Sequence, residues 1–216
     1  SAPTASGKTE AAFIPALNSV EDWETGLKVL YISPLKALIN DQFHRISELS
    51  EYLDIPITRW HGEVSQAQKR KVVNQPKGIL LITPESIEGM LVNRPGEAEH
   101  LFKGVEWIII DELHSFLGTE RGIHLQSLLQ RISRFMQAPR FIAMSATLNK
   151  KDFGYAKAFF GSQRDTDILV DRDKNDLLVT IDYTSGEAGP FVARESLAAI
   201  YQYSKTETML IFPNSR

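Results

Sequence analysis

Seven residues, Trp107-Ile108-Ile109-Ile110-Asp111-Glu112-Leu113, with His114 directly behind them, constrain the fold more than any other part of the chain. Trp107 to Ile110 is an apolar, β-branched run, and such a run is stable as a strand buried on both faces of a parallel sheet. It stops abruptly at two adjacent carboxylates and a histidine. The carboxyl ends of strands in an open parallel sheet are where ligands sit, so Asp111 and Glu112 are expected to face a site and not the core. A carboxylate in such a place is costly unless it holds a cation or a proton.

The reason for that cation lies far upstream. Ala2-Pro3-Thr4-Ala5-Ser6-Gly7-Lys8-Thr9 has the spacing of a phosphate-binding loop, small-x-x-x-x-Gly-Lys-Thr. The backbone N–H groups of Thr4, Ala5, Ser6 and Gly7 are suited to cradle phosphate, Lys8 to reach the β and γ oxygens, and the Thr9 hydroxyl to hold magnesium. Glu10–Leu17 reads as the start of a helix, whose N-terminal dipole also favours an anion. Ala5 stands where a glycine is often found, and needs a backbone angle that a Cβ tolerates. The strand that feeds the loop is expected to precede Ser1, so the chain reads as a fragment. A magnesium-bound nucleoside triphosphate would explain Lys8, Thr9, Asp111 and Glu112 together.

Between and beyond these motifs the pattern alternates. Strands are expected at Lys28–Ser33, Ile57–His61, Gly78–Thr83, Val105–Asp111 and Arg140–Ser145. Helices are expected at Leu35–Tyr52, Gln66–Asn74, Glu85–Val92, Gly122–Met136 and Lys151–Phe160. Such alternation predicts an α/β fold, a doubly wound, mostly parallel sheet with helices on both faces. Each strand ends in short polar or turn-forming residues: Ser33-Pro34-Leu35-Lys36, His61-Gly62, Thr83-Pro84-Glu85, Asp111-Glu112-Leu113-His114 and Ser145-Ala146-Thr147. In a doubly wound sheet these ends share one edge and line one continuous surface. Turn chemistry accounts for the prolines and the glycine. It does not account for hydroxyls and carboxylates recurring along the same edge.

Composition narrows the classes. The 216 residues include no cysteine, which removes disulfides and cysteine-held zinc and points to a reducing, cytoplasmic compartment. No apolar run approaches the ~20 residues of a membrane span, and no signal peptide opens the chain. With 24 Lys+Arg against 27 Asp+Glu the formal charge is −3, so nucleic-acid contact would need a local patch. The helix carrying Lys69, Arg70 and Lys71 reads as a solvated face. Asn149-Lys150-Lys151-Asp152 matches a guanine-recognition pattern, but no Asp has Gly three residues on, and the stretch reads as a helix start. The long gap between Lys8 and Asp111 disfavours a P-loop kinase or GTPase.

Ala2–Thr9, Ser33–Ala37, Thr83–Glu85, Asp111–His114 and Ser145–Thr147 stand in the order of motifs I, Ia, Ib, II and III of superfamily 2 helicases, which the chain resembles. The Asp-Glu-Leu-His form is that of DExH proteins. Ser33–Gln42 and Asp111–Gly122 with His124-Leu125 are most similar to the large helicase-related (Lhr) family, with the Ski2-like helicases next. The resemblance implies a RecA-like lobe over residues 1–161, a linker over 162–176, and the opening of a second RecA-like lobe over 177–216. Motifs V and VI, with the arginine finger, would then lie beyond Arg216, and these 216 residues alone would turn nucleotide over hardly at all.

The implied activity is an ATP-dependent helicase or translocase using ATP and Mg2+. Lys8, Asp111 and Glu112 would be catalytic, with Thr9 and Asp111 on the metal, and Glu112 would deprotonate the attacking water. His114, Ser145 and Thr147 would couple nucleotide state to movement. Lys36, Gln42, Thr83, Pro84 and Arg121 fall where the family contacts nucleic-acid backbone. The implied partner is single-stranded or partly duplex nucleic acid, DNA being favoured over RNA by the resemblance alone, with no membrane and a monomeric chain. A nucleotide-gated binding module without productive hydrolysis is the alternative.

Overall fold

The computed structural model describes residues 7–161 and 166–170. Thr4, Ala5 and Ser6, most of the expected linker and the expected second lobe lie outside the described residues. Five strands, β1 (Gly26–Ile32), β2 (Ile57–Trp60), β3 (Lys77–Ile82), β4 (Trp107–Ile110) and β5 (Arg140–Ala143), form one sheet in the order β2-β3-β1-β4-β5. Every pairing is parallel. The helices are α1 (Lys8–Ser19), α2 (Lys36–Ser50), α3 (Gln66–Asn74), α4 (Pro84–Asn93), α5 (Pro95–Phe102), α6 (Glu120–Ile132) and α7 (Phe153–Phe159).

Side chains alternate across the sheet and build a core on each face, as the doubly wound expectation requires. Leu30, Ile32, Leu80, Ile82, Ile108 and Ile110 pack with Ile87, Leu101, Phe102, Leu125, Leu128 and Phe159 from the helices after β2. Val29, Tyr31, Ile79, Leu81, Trp107 and Ile109 pack with Ala12, Phe13 and Ala16 of α1 and Ile39 and Ile46 of α2. Burial on both faces explains why β4 is wholly apolar, since any polar side chain there would lose its water.

Register fixes the site. Trp60 lies opposite Ile82, Ile82 opposite Ile32, Ile32 opposite Ile110 and Ile110 opposite Ala143, so the strands end in one row. Ser33 N–H to the Ile82 carbonyl (3.1 Å), Asp111 N–H to Ile32 (2.9 Å) and Met144 N–H to Ile110 (2.8 Å) close that row. The strands stop before the polar residues that sequence reading had placed inside them, because Pro34 and Pro84 and the turn at Glu112 carry the chain away.

Helix α1 contains the expected Glu10–Leu17 stretch, and one further helix departs from expectation. Helix α1 continues through Pro15, which has no N–H to give; the burial of Ala12, Phe13, Ala16 and Val20 offsets a penalty of about 3 kcal/mol. Helix α5 was not anticipated, although Pro95 at its first turn and the spacing of Ala98, Leu101 and Phe102 are a legible signal.

Helices α4 and α6 lie against each other, and their chemistry is testable. A Cβ on Gly122 would stand 1.8 Å from the Phe116 carbonyl oxygen, whereas one on Gly89 would meet nothing within 4 Å. Gly89→Ala is therefore expected to stabilise by about 0.5–1 kcal/mol, and Gly122→Ala to destabilise by about 1–3 kcal/mol, in urea unfolding. Glu88 accepts from Arg131 Nη1 at 3.0 Å, from Arg131 Nη2, and pairs with His124 Nε2 at 2.8 Å. Arg131, then His124, hold its pKa down from 4.5 to about 2. A folded pKa below the unfolded one adds stability above the unfolded value and loses it as pH falls through the folded one. Glu88→Gln should thus cost about 1 kcal/mol at pH 7, discounted for solvent screening. Its deficit in urea midpoint should shrink steadily between pH 5 and pH 3; a deficit independent of pH would refute the clamp.

Candidate nucleotide and nucleic-acid site

Gly7 precedes α1 with φ 75° and ψ 18°, left-handed backbone that glycine adopts without a Cβ penalty. No side-chain hydrogen bond caps α1, and the Glu10 carboxylate in its first turn is held below its ordinary pKa first by the Glu10 backbone N–H. Thr9, the second residue of α1, is buried, and its hydroxyl donates to Gln42 Oε1 at 3.0 Å. Beside it Arg45 of α2 pairs with Glu10 of α1 at 3.0 Å. These two contacts fasten α2 to the loop end of α1.

Asp111 begins the turn after β4 and is 7% exposed. The Tyr31 hydroxyl donates to its Oδ2 at 2.5 Å, and the Glu112 N–H donates to its Oδ1 at 2.9 Å. Burial first, then the Asp111 charge, raises the Tyr31 pKa well above its ordinary value, so the phenol stays a donor. Both partners are neutral, and each carboxylate oxygen keeps a lone pair for a cation.

Glu112 has φ 48° and ψ 47°, left-handed backbone that costs a non-glycine residue about 1 kcal/mol or more and marks a locally strained turn. Its Oε2 is buried without a hydrogen-bond partner among the described residues. His114 Nδ1 lies 3.2 Å from that oxygen and 3.2 Å from Ser145 Oγ, but only the second contact is aligned as a hydrogen bond. Ser145 spends its proton on the Thr147 carbonyl at 3.1 Å, which leaves His114 Nδ1 as the donor to Ser145. Leu113 N–H to Met144 O, 2.8 Å, ties the two turns together. His114, Ser145 and Thr147 are thus one linked group, and it touches Glu112.

Along the same edge, Pro34, Leu35, Lys36, Ala37, Gly62, Thr83, Glu85 and Ser86 line a groove of about 650 Å³. Lys36 stands in it, paired with Glu63 at 3.3 Å on the surface. Thr83 caps α4 by accepting from the Ser86 N–H at 3.4 Å, and Pro84 is buried as the first residue of that helix. Arg121 braces the wall: Nη2 donates to the Pro34 carbonyl at 2.6 Å, and Nε reaches Glu85 at 2.9 Å. His61, next to Gly62, is buried with neither ring nitrogen bonded among the described residues, and burial pushes its pKa down.

Two expectations change, and one residue was not foreseen. Gln42 is buried against Thr9, not presented to the groove. Lys69 is also buried, its ammonium over the Trp60 ring at 5.8 Å, although Arg70 and Lys71 are exposed as read. Tyr31 was missed, and the signal was there: a hydroxyl-bearing aromatic in an otherwise aliphatic strand stretch. Asn149 and Asp152 form a capping box before α7, which agrees with a helix start and not a guanine site.

The five-stranded parallel sheet covered by helices on both faces, with a carboxylate pair at one edge, is the architecture of a RecA-like lobe. The DEAD/DEAH box helicase family model matches residues 1–153, and the chain belongs to that family. It is 32% identical over 237 residues to the ATP-dependent helicase Lhr-Core of Sulfolobus acidocaldarius, covering 100% of this chain and 27% of that relative. It also resembles the structure of Mycobacterium smegmatis helicase Lhr bound to ssDNA and AMP-PNP, with 32% identity, TM-score 0.62, and coverage of 72% and 21% of the two chains. The DUF1998 helicase MrfA bound to DNA and AMPPNP matches with 28% identity, TM-score 0.64, and coverage of 74% and 23%. The chain spans about a quarter of the length of the curated relatives it matches. Among the described residues no helix is long and apolar enough to cross a membrane.

Proposed function

We propose that the intact protein is an ATP-dependent helicase or translocase acting on single-stranded or partly duplex DNA in the cytoplasm, and that residues 1–161 form its first motor lobe. Residues 162–176 would be the linker and 177–216 the start of the second lobe. The observation that supports the reading is the shared sheet edge: the Asp111-Glu112 turn follows β4 there, and the groove around Lys36 and Thr83 follows β1 and β3.

The residues fit magnesium. A hydroxyl whose proton is already committed and a buried carboxylate with lone pairs to spare are hard oxygen donors, and magnesium takes one or two of these alongside substrate phosphates. Bound there, the ion would neutralise phosphate charge. Lys8 and the N–H groups of Gly7, Thr4, Ala5 and Ser6 would hold the phosphates of ATP. Thr9 and Asp111 would hold the metal. The unpartnered Glu112 Oε2 is suited to accept the proton of the attacking water. Its neighbour His114 would pass a change at Glu112 to Ser145 and Thr147. Lys36, Thr83 and Arg121 would grip backbone phosphates without reading bases, with Pro84 shaping the turn beneath them.

Glu112→Gln in the full-length protein tests this. Loss of the proton acceptor should lower the strand-stimulated ATPase kcat by about 10²–10⁴-fold with nucleotide affinity retained. Wild-type hydrolysis that single strands do not stimulate would overturn the motor. Triphosphate-dependent strand binding with no turnover at all would replace it with a nucleotide-gated clamp.

A further inference from the structure

We propose that Gln42 is a positioning residue for the divalent cation: it fixes the Thr9 hydroxyl with a lone pair, not a proton, turned toward the metal. This rests on the reading of Thr9 and Asp111 as metal residues. A threonine hydroxyl has one proton and two acceptor lone pairs, and it can rotate to offer either. A cation needs the lone pair. In this chain the proton is committed to Gln42 Oε1, 3.0 Å away and buried from water.

The orientation of the Gln42 amide is set by its other end. Nε2 faces Asp41 Oδ2 at 3.5 Å, so reversing the amide would bring its oxygen against a carboxylate and its NH2 against Thr9. In that reversed state Thr9 would accept from Gln42 and lose a lone pair at the metal. Asp41 therefore selects the arrangement that serves the cation. Arg45, one turn further along α2, pairs with Glu10 and keeps the two helices in the register that this hydrogen bond needs.

The second metal residue is held in the same manner. Tyr31 donates to Asp111 Oδ2, and Phe13 of α1 packs against the Tyr31 ring with centroids 5.7 Å apart. Tyr31 and Gln42 flank the loop Ser33–Leu35 on strand β1 and helix α2. One β1–α2 unit thus sets both oxygens, although neither of its two residues belongs to the phosphate loop or to the carboxylate pair. The location of Gln42 separates this role from backbone contact with nucleic acid, since its side chain is turned toward α1.

The test is equilibrium binding of a fluorescent, non-hydrolysable ATP analogue to the full-length protein, titrated with Mg2+ and repeated in EDTA. Gln42→Met keeps the length and removes the acceptor. It should raise the magnesium midpoint about three- to tenfold, the scale of one lost hydrogen bond, while leaving binding in EDTA and single-strand affinity unchanged. Gln42→Glu still accepts and should leave the midpoint at or below the wild-type value. Equal weakening of binding with and without metal, or a fall in strand affinity alone, would overturn the proposal, as would a wild-type midpoint in Gln42→Met. If the wild-type protein binds the analogue without any dependence on magnesium, the metal reading itself fails, and that result is distinct from the others.

Discussion

The hydrogen bond from Tyr31 to Asp111 holds the charge around which the site is arranged. Asp111 is buried at the end of a strand with no polar side chain, where an unsatisfied carboxylate costs several kcal/mol. The parallel register supplies the remedy. Tyr31 lies opposite Ile109, on the face that Ile109 shares with Asp111. Two residues of strand advance about 6.6 Å, a span that a tyrosine side chain covers and a serine or threonine does not. A slip of one residue between β1 and β4 would turn the phenol to the opposite face and leave the carboxylate without it. The apolar run of β4 is thus more than filler, because its burial against β1 sets the register on which the buried Asp111 carboxylate at that strand's end depends.

What could be read from sequence followed from local rules. The alternation of strand and helix and the polar strand ends are each written within a dozen residues, and the sheet places them where expected, whereas most of the phosphate loop lies outside the described residues. Resemblance then supplied roles for Lys36 and Thr83, which line one groove, and for Arg121, which bonds Glu85 and the Pro34 carbonyl at its wall. Gln42 shows where this stops. Its position on α2 is a sequence fact, but whether it faces the groove or α1 depends on how α2 rolls over the sheet. Ile39 and Ile46 decide that roll by packing under the strands, and they carry Gln42 inward beside them. Tyr31 eluded the reading for a similar reason, since its partner is 80 positions away and only the β1–β4 pairing joins them.

Glu112 joins the two halves of the site. Its left-handed backbone is the cost of turning sharply enough that Leu113 can bond Met144 after β5, and that bond brings His114 onto Ser145. Strain of this kind persists where surrounding contacts over-determine it. Here they do: the Glu112 N–H is taken by Asp111 and its carbonyl by Ser115. The side chain is left with an unbonded oxygen close to an imidazole that is itself committed elsewhere. A group so placed can accept a proton without first breaking a hydrogen bond, and any movement of the β5 turn reaches it through one contact.

The groove works on a different principle, which follows from the charge of the chain. This chain, with net charge −3, has no long-range field to draw a polyanion, so a phosphate contact in the groove would depend on local preorganisation. Arg121 illustrates this. Nε and Nη2 are spent on Glu85 and the Pro34 carbonyl, and the guanidinium stands 5.5 Å over the Phe116 ring. That bracing leaves Nη1, with its two donors, held in a fixed direction. A fixed donor loses less conformational entropy on binding than a free arginine does, because its rotamers are already set by the fold. Glu85 offsets part of its charge and so weakens non-specific attraction. The same ion pair therefore lowers the pull of the groove on any anion and sharpens its preference for one that fits between α2, α4 and α6.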